Sequence, residues 1–505
     1  MAVTYFNGFF YLKGFPEDRI PAWVTTDYGD DKPYFHLNYS SREKFKRDIL
    51  PLIKSGEVVV GDEVLQRLRD YNRPRFAQFG VELGTYKTVP GFTLYDYQDT
   101  AVRIMLKNKK FGFFLGTGTG KTLIAITWLL NNPILSGVLV VTPKKMISQY
   151  QKQCDLHLPN HTKKQITVTN FEQLHNHRTK NYQAVIIDES HRAKSYTSDT
   201  NENLRRITSK AANVYLFTGT PQDDSRHEII PQLALLNERY MPGKTRFLHR
   251  YFNLDEYYNP KSEKRHVSDE LTSMIHEITW GRETDQVLDL PEEKIIKVMC
   301  DKPEKYYEPL LKNSLVEVGP YTVVADSKSS LKIKLREICS GHVNALDDDD
   351  NLHTVMLSTP KIPMFYQLIK KVNTAIIYTE FDADILKVTH VLNMLNRSHV
   401  VVNGKTANSG PLIEKFSSGQ VDFLVIQSRS GNAGLDLYNT NNVIFYSMPE
   451  SYIVYHQCKS RIRRIGQSKT CNYYHMICKE TVEEQIFKSL KKKKSFSTRL
   501  FKTYN

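Results

Sequence analysis

The 505-residue sequence contains no long hydrophobic run. No segment approaches the roughly 18 consecutive apolar residues that a membrane-spanning helix needs. The first residues, MAVTYFNGFF, also lack the charged region and cleavage site of a secretory signal peptide. We therefore expect a soluble protein with no membrane partner, cytoplasmic in a bacterial or phage-infected cell and nuclear in a eukaryotic one.

Cysteine is also scarce, and the cysteines present do not form a paired framework. The six are Cys154, Cys300, Cys339, Cys458, Cys471 and Cys478. Scattered thiols are typical of a reducing compartment. Cys154 lies near His157 and His161, but no fourth zinc ligand is evident, so we predict no zinc site.

Positive charge is in excess. The chain has 69 lysines and arginines against 55 aspartates and glutamates, which gives a formal net charge of +14 and an isoelectric point near 9.2. A basic chain favours a polyanionic partner such as nucleic acid.

A glycine-rich turn follows the apolar run FGFF. The turn consists of Gly116, Thr117, Gly118, Thr119, Gly120, Lys121 and Thr122. Glycines let backbone N–H groups converge on phosphate oxygens, while the side chains of Lys121 and Thr122 suit phosphate and Mg²⁺ respectively. The match to the phosphate-loop pattern is partial, because Leu115 occupies the first glycine position. We predict a nucleotide site here; the alternative is a glycine turn without a ligand.

Short, continuously apolar runs recur in two series. The first is VLVVTP (138–143), ITVTNF (166–171), AVIIDES (184–190) and VYLFTGTP (214–221); the second is AIIYTEF (375–381), HVVVNG (399–404), FLVIQS (423–428) and VIFYSMP (443–449). Such runs, separated by helical stretches, predict parallel strands that are buried on both faces. We therefore predict two α/β lobes that share one phosphate loop.

Two charged groups complete the candidate site. Asp188 and Glu189 follow the buried run AVII, so they are placed at the carboxyl end of a strand, where α/β sheets bind ligands. Arg461 and Arg464 are three residues apart, and we expect them to share a helix face and contact a γ-phosphate. A surface turn and a solvated or nucleic-acid-binding basic face are the respective alternatives.

Nine segments, taken in order, resemble the superfamily 2 helicases, specifically the Swi/Snf-type DNA translocases. They are LYDYQ (94–98), GTGTGKT (116–122), VVTPKKMISQY (140–150), TNFEQL (169–174), DESHRAKS (188–195), FTGTPQD (217–223), RETDQVLDLPEEK (282–294), SGNAGLDL (430–437) and HQCKSRIRRIGQ (456–467). The resemblance covers about 93–490. It implies two tandem RecA-like lobes, use of ATP with Mg²⁺, and binding of DNA.

The resemblance also assigns roles to individual residues. Gln98 corresponds to the residue that reads adenine, Thr122 and Asp188 to the Mg²⁺ ligands, and Glu189 to the residue that activates water. The remaining assignments are Thr218, Thr220 and Gln457 for coupling, Gly434 and Asp436 for nucleotide contact in the second lobe, Arg461 and Arg464 as arginine fingers, and Lys144, Thr169 and Lys405 for DNA-backbone contact.

The predicted fold is therefore α/β, with two lobes and a small N-terminal α+β accessory domain. The predicted divisions are 1–90 (accessory domain), 91–250 (first lobe), 251–350 (helical inter-lobe region), 351–490 (second lobe) and 491–505 (basic tail). Aromatic residues of the accessory domain suit either base stacking or the core of a small strand-rich domain.

The leading hypothesis is an ATP-dependent DNA helicase or translocase that remodels branched DNA, such as forks and recombination junctions, in replication, recombination or repair. One alternative is a duplex-DNA translocase subunit of a larger restriction or remodelling complex. Another is a nonenzymatic DNA-binding protein. The sequence does not identify protein partners.

Overall fold

The chain divides into two compact units in the computed structural model. The first comprises Met1–Val287 with Thr498–Asn505, and the second comprises Leu288–Ser497. The structure describes residues 2–6, 9–13, 34–35, 48–55, 57–60, 85–133, 135–223, 225–237, 244–430 and 437–502. Across these residues, no helix combines the length and the apolar character needed to cross a bilayer.

The first unit contains twelve described strands and ten described α-helices. The strands are β1 Ala2–Phe6, β2 Phe9–Lys13, β3 Tyr34–Phe35, β4 Val59–Val60, β5 Lys110–Leu115, β6 Val138–Val141, β7 Ile166–Thr169, β8 Ala184–Asp188, β9 Asn213–Thr218, β10 Phe252–Leu254, β11 Pro260–Glu263 and β12 Thr279–Arg282. The helices are α1 Leu50–Lys54, α2 Asp96–Lys107, α3 Lys121–Leu130, α4 Ile147–His157, α5 Asn160–Lys163, α6 Asp199–Thr208, α7 Ile230–Leu236, α8 Lys244–Tyr251, α9 Ser268–Glu277 and α10 Thr284–Val287.

Six of these strands form a parallel sheet in the order β12-β5-β9-β8-β6-β7. Strands β6 and β8 are buried along their whole length, as expected for a parallel sheet that is covered on both faces. The first predicted series of strands is therefore confirmed. Strand β12 was not predicted from the sequence.

The second unit has ten strands and seven α-helices among its described residues, and the last helix continues past the end of the unit at Ser497. The strands are β13 Glu293–Cys300, β14 Leu315–Val318, β15 Tyr321–Val324, β16 His342–Leu346, β17 Leu352–Met356, β18 Ala375–Thr379, β19 His399–Val402, β20 Phe423–Gln427, β21 Asn442–Phe445 and β22 Cys471–Cys478. The helices are α11 Glu304–Asn313, α12 Lys328–Ser340, α13 Lys361–Lys371, α14 Asp382–Met394, α15 Gly410–Ser417, α16 Tyr452–Lys459 and α17 Val482–Lys502.

A second six-stranded parallel sheet, in the order β13-β22-β21-β18-β20-β19, forms the core of this unit. It contains all four predicted strands of the second series. The chain therefore has the predicted α/β fold with two tandem RecA-like lobes.

The segment 251–350 differs from the predicted helical inter-lobe region. It contains strands from both units, and β14–β17 form a four-stranded antiparallel sheet. Short turns explain the difference: Gly319, with φ of +63°, lies between β14 and β15, and the acidic run at Asp347 lies in the turn between β16 and β17. The division between the units falls after Val287.

The two ends of the chain also refine the predicted divisions. Strands β1–β4 form a small sheet within the accessory segment. The side chains of the aromatic residues in 1–84 lie outside the part that the structure describes. The Lys87 backbone exchanges hydrogen bonds with the Asn131 side chain, and Val89 is buried, so 85–90 pack with the first lobe. The predicted basic tail continues α17 as far as Lys502.

Candidate active site

The glycine-rich turn connects a buried strand to a helix. Strand β5 ends at Leu115 and α3 begins at Lys121. Gly118 and Gly120 both have φ of +78°, a conformation that side-chain-bearing residues rarely adopt. The backbone therefore turns sharply and places the first N–H groups of α3 at the end of the strand, the arrangement that binds phosphate.

Side chains of the turn bond to its own backbone. The Lys121 Nζ donates to the carbonyl oxygens of Leu115 and Gly116, at 3.1 Å each. The Thr119 hydroxyl donates to the Gly116 carbonyl at 2.7 Å. These bonds order the loop and hold the Lys121 ammonium beside it.

Gln98 lies against the same loop. Its Nε2 donates to the Thr119 carbonyl at 2.9 Å, and its Oε1 accepts from the Tyr95 N–H at 3.0 Å. The Tyr97 hydroxyl also donates to the Thr119 carbonyl, at 3.0 Å. Gln98 therefore supports the phosphate loop, and its contact with adenine stays a prediction from the family resemblance.

Asp188 and Glu189 lie at the carboxyl end of β8, close to Lys121. The Asp188 side chain is buried and accepts from the Glu189 N–H at 3.0 Å. Burial and the neighbouring Glu189 charge raise the pKa of Asp188 to about 6, while the positive charge of Lys121 opposes the rise. The structure thus brings together the predicted lysine and the two predicted carboxylates.

Glu189 has a left-handed backbone conformation, with φ of 52°. The Nδ1 of His191 lies 3.3 Å from Glu189 Oε2 and 3.0 Å from Thr218 Oγ1. The Thr220 N–H donates to that same Thr218 oxygen at 3.1 Å. His191 therefore connects the candidate water-activating carboxylate to the two threonines predicted for coupling.

The oxygen donors of this region fit a magnesium ion. Thr122 lies in the first turn of α3, and Asp188 offers a carboxylate whose neutral form is favoured by burial and by the adjacent Glu189. A divalent cation would favour the ionised carboxylate, and hydroxyl and carboxylate oxygens are hard ligands of the kind that Mg²⁺ prefers.

The arginines of the second unit do not lie on a helix, contrary to the expectation from their spacing. Helix α16 ends at Lys459, and the chain then turns, with Gly466 at φ of +98°. Arg461 is buried, and its carbonyl accepts from the Leu437 N–H at 3.1 Å. Arg464 is half-buried, and its Nε donates to the Ser460 carbonyl at 2.8 Å. The arginines are therefore held by turn contacts.

Other predicted residues differ in accessibility. The Lys405 side chain is 83% exposed and pairs with Asp382 at 3.0 Å, and Lys144 is exposed as well. Thr169 is buried, so its side chain presents little surface to a ligand. Gln457 is buried within α16. Gly434 and Asp436 lie outside the described residues.

The sequence did not single out two residues that contact the site. The Thr284 hydroxyl donates to the Thr117 carbonyl at 3.0 Å, and Gln232 bonds to Ser190 at 2.9 Å. Thr284 belongs to the recognised segment RETDQVLDLPEEK, and Gln232 interrupts the apolar helix IPQLALL. A polar residue in an otherwise apolar helix was the available signal for Gln232.

Comparison with known families identifies three matching regions. Residues 91–223 match the res subunit of type III restriction enzymes, 160–342 match the SNF2-related domain, and 360–466 match the helicase conserved C-terminal domain. Together these regions contain the phosphate loop, the carboxylate pair and the two arginines.

Individual relatives are distant and longer. An uncharacterized ATP-dependent helicase of Mycoplasma genitalium is 23% identical over 439 residues, 78% of this chain and 41% of that protein. A CHD3-type chromatin-remodeling factor of Arabidopsis thaliana is 25% identical over 484 residues, 84% of this chain and 38% of that protein. This chain thus spans less than half the length of these two relatives.

A solved structure was also matched: a SWI2/SNF2 ATPase core from Sulfolobus solfataricus in complex with double-stranded DNA. It is 18% identical, with a TM-score of 0.39, and the match covers 84% of this chain and 96% of that chain.

Proposed function

The chain belongs to the superfamily 2 helicases of the Swi/Snf type, and on that premise we propose that it hydrolyses ATP to drive its movement on DNA. The observation that carries this proposal is the position of Lys121 beside Asp188 and Glu189, where the charge of the lysine opposes the rise in the Asp188 pKa. Cleavage of a phosphoanhydride needs a phosphate-binding cation and carboxylates in this arrangement.

Each residue has a distinct part in the proposed reaction. The backbone of the loop and Lys121 bind the β- and γ-phosphates, and Thr122 and Asp188 hold Mg²⁺, which neutralises phosphate charge when bound. Glu189 orients and polarises the attacking water. Arg461 and Arg464 stabilise the negative charge that develops on the γ-phosphate.

The exposed lysines and the charge of the chain support DNA as the partner. Lys144 and Lys405 are accessible, and the chain carries a net charge of +14. Contacts to the phosphate backbone carry no sequence information and weaken as salt rises. We propose branched DNA, at forks and recombination junctions, as the substrate, with roles in replication, recombination or repair.

The charges of Lys121 and Glu189 both act on the Asp188 carboxyl, and this grouping favours an enzyme over a nonenzymatic DNA-binding protein. A duplex-DNA translocase within a larger complex is the second candidate, because residues 91–223 match the res subunit of type III restriction enzymes. The two enzymatic candidates differ in their preferred DNA and in their need for partner subunits.

The proposal is tested by measuring ATP hydrolysis by the full chain with and without DNA. We expect DNA to stimulate hydrolysis, and Glu189→Gln to bind ATP and DNA yet abolish turnover, because it removes the water-activating carboxylate and retains the phosphate loop. Absence of DNA-stimulated hydrolysis in the wild-type protein would contradict the enzymatic proposal. Normal turnover by Glu189→Gln would contradict its catalytic role.

The substrate is tested with forked, four-way and linear DNA of equal length. Faster ATP-dependent remodelling of forks and junctions, at equal ATPase stimulation, would support the branched-DNA proposal. Equal translocation on linear duplex, without junction remodelling, would favour the second candidate.

A further inference from the structure

Gln232 lies in the short helix α7, where every residue is buried. Its side chain is completely inaccessible to solvent. Burial of an amide is unfavourable unless its donors and acceptor find partners. Two of the three partners that Gln232 finds belong to different segments of the candidate active site.

The first partner immediately follows the candidate water-activating residue. The Ser190 hydroxyl, itself inaccessible to solvent, donates to Gln232 Oε1 at 2.9 Å. Ser190 is the chain neighbour of Glu189, whose backbone has a left-handed φ of 52°. This conformation is unfavourable for a residue with a side chain, so it needs support from its surroundings.

The second partner follows the two threonines predicted for coupling. Gln232 Nε2 donates to the Pro221 carbonyl at 2.7 Å and to the Glu228 carbonyl at 3.0 Å. The amide therefore uses its acceptor for the Asp-Glu-Ser-His segment and a donor for the Thr-Gly-Thr-Pro segment. One side chain bridges both segments.

A second bridge, through His191, joins the same two segments. The Thr218 hydroxyl lies 3.0 Å from His191 Nδ1, and that nitrogen lies 3.3 Å from Glu189 Oε2. The connections through Gln232 and His191 therefore close a ring that contains Glu189. A movement of the Thr-Gly-Thr-Pro segment would therefore be transmitted to the Glu189 carboxylate through both Gln232 and His191.

We infer that Gln232 is a positioning residue that couples movement of the Thr-Gly-Thr-Pro segment to the orientation of Glu189. Gln232 does not touch the reacting atoms; it fixes the Ser190 side of the Glu189 backbone. This inference rests on the proposed ATPase function. According to it, one buried amide connects the position of the Thr-Gly-Thr-Pro segment to the activation of water by Glu189.

The test compares Gln232→Met, Ser190→Ala and the double variant with the wild-type protein. We expect each single variant to lower kcat of DNA-stimulated hydrolysis about tenfold, roughly the effect of one hydrogen bond, with KM for ATP nearly unchanged. The number of ATP molecules consumed per base pair travelled should rise. The double variant should lose no more than the worse single variant, because both changes remove the same bond.

Thr208→Val is the matched control. The Thr208 hydroxyl is also buried, but it bonds to Arg205 of its own helix at 3.4 Å, away from the bridge. This variant should lower thermal stability without changing kcat or coupling. If Gln232→Met does not fold, Ser190→Ala alone decides, since it removes the same bond with a smaller change.

The outcomes separate the inference from the proposed function. A wild-type protein without DNA-stimulated hydrolysis would overturn both. An active wild-type protein, with Gln232→Met or Ser190→Ala losing thermal stability but keeping kcat per folded molecule and the ATP cost per base pair, would overturn the inference alone. Additive losses in the double variant would also overturn it.

Discussion

Gly116 of the phosphate loop lies directly against Thr284 of α10. A β-carbon added to Gly116 would lie 2.6 Å from the Thr284 backbone nitrogen and would also collide with its hydroxyl. The Thr284 hydroxyl donates to the next loop carbonyl, that of Thr117, at 3.0 Å. A segment 167 residues downstream thus supports one side of the phosphate loop.

We expect Gly116→Ala to displace the loop and abolish ATP binding, because the added methyl group has no space beside α10. The measurement is ATP affinity by equilibrium titration, together with thermal unfolding. Thr284→Ala should not rescue Gly116→Ala, because the collision with the Thr284 backbone nitrogen remains.

Gly404→Ala serves as the control for this substitution. A β-carbon there would meet only the Gln427 Oε1, at an ordinary 3.7 Å, so thermal stability should change little. Full ATP affinity in Gly116→Ala would contradict the close packing of the loop on Thr284.

Arg464→Ala should reduce turnover by a factor on the order of 10³ if the guanidinium stabilises the transition state, with a small effect on DNA affinity. Arg461→Ala should also lower turnover, and it should lower thermal stability more, because Arg461 is buried while Arg464 is half-buried. Steady-state kinetics and DNA titrations measure both effects. Loss of DNA binding with normal hydrolysis in both variants would instead assign the arginines to a nucleic-acid face.

Some strands could be predicted from the sequence because their composition indicates that they are buried. Strands β8 and β18 are continuous apolar runs with turn residues on either side, so local pattern was sufficient. Strand β12, with the sequence TWGR, has no comparable pattern; it forms because it pairs with β5, 167 residues earlier in the chain.

Local sequence pattern also predicted only part of the candidate site. Lys121 and Asp188 could be identified because phosphate chemistry restricts the residue types and their spacing. The arginine spacing suggested a helix face, but the backbone turns after Lys459. The role of Gln232 depends on partners that only the folded chain brings together.

Two buried histidines of the second unit should make the protein sensitive to acid. Burial lowers the pKa of His342 and of His475 to about 3, well below the ordinary value of 6.5. The unfolded chain therefore binds more protons as pH falls from 6.5 towards 3, and each histidine should reduce the free energy of unfolding by about 1.4 kcal/mol per pH unit. Urea unfolding at pH 7.5 and 5.5 measures the loss.

The variant His475→Gln should weaken this pH dependence, since one titrating group is removed. Asp188 acts in the opposite direction: its pKa of about 6 exceeds the ordinary value of 3.8, so its contribution to stability rises as pH falls between them. Asp188 lies in the first unit, whereas His342 and His475 lie in the second, so the two effects act on the stability of different units. An unchanged pH slope in His475→Gln would contradict the neutral, buried state of that histidine.

Lys361 and Glu483 form an ion pair in the second unit, with 2.5 Å between Nζ and Oε1 and almost no exposure to solvent. Glu483→Gln should reduce the free energy of unfolding by about 3–5 kcal/mol, because it leaves the ammonium buried without its counter-charge. The double variant Lys361→Met with Glu483→Leu should recover much of that loss. Chemical denaturation measures the free energy of unfolding of both variants. If the double variant loses as much as Glu483→Gln, packing rather than the unpaired charge determines the cost.

The accessory segment should affect branched DNA more than it affects hydrolysis. A truncated chain should begin at Thr85 rather than near residue 90, because the Lys87 backbone exchanges hydrogen bonds with the Asn131 side chain and Val89 is buried. Every predicted nucleotide contact lies downstream, so we expect this chain to fold and to retain DNA-stimulated hydrolysis. Fork and junction remodelling should fall further, if the aromatic and basic residues of the segment bind branched DNA by stacking and phosphate contact.

A chain that begins at Gly91 provides the matched comparison. It additionally loses Lys87 and Val89, so its thermal stability should be lower than that of the chain from Thr85. Equal loss of hydrolysis and remodelling in the chain from Thr85 would mean that the accessory segment only stabilises the first lobe. Full junction remodelling by that chain would mean that substrate choice resides in the two lobes, and the stacking hypothesis would then be wrong.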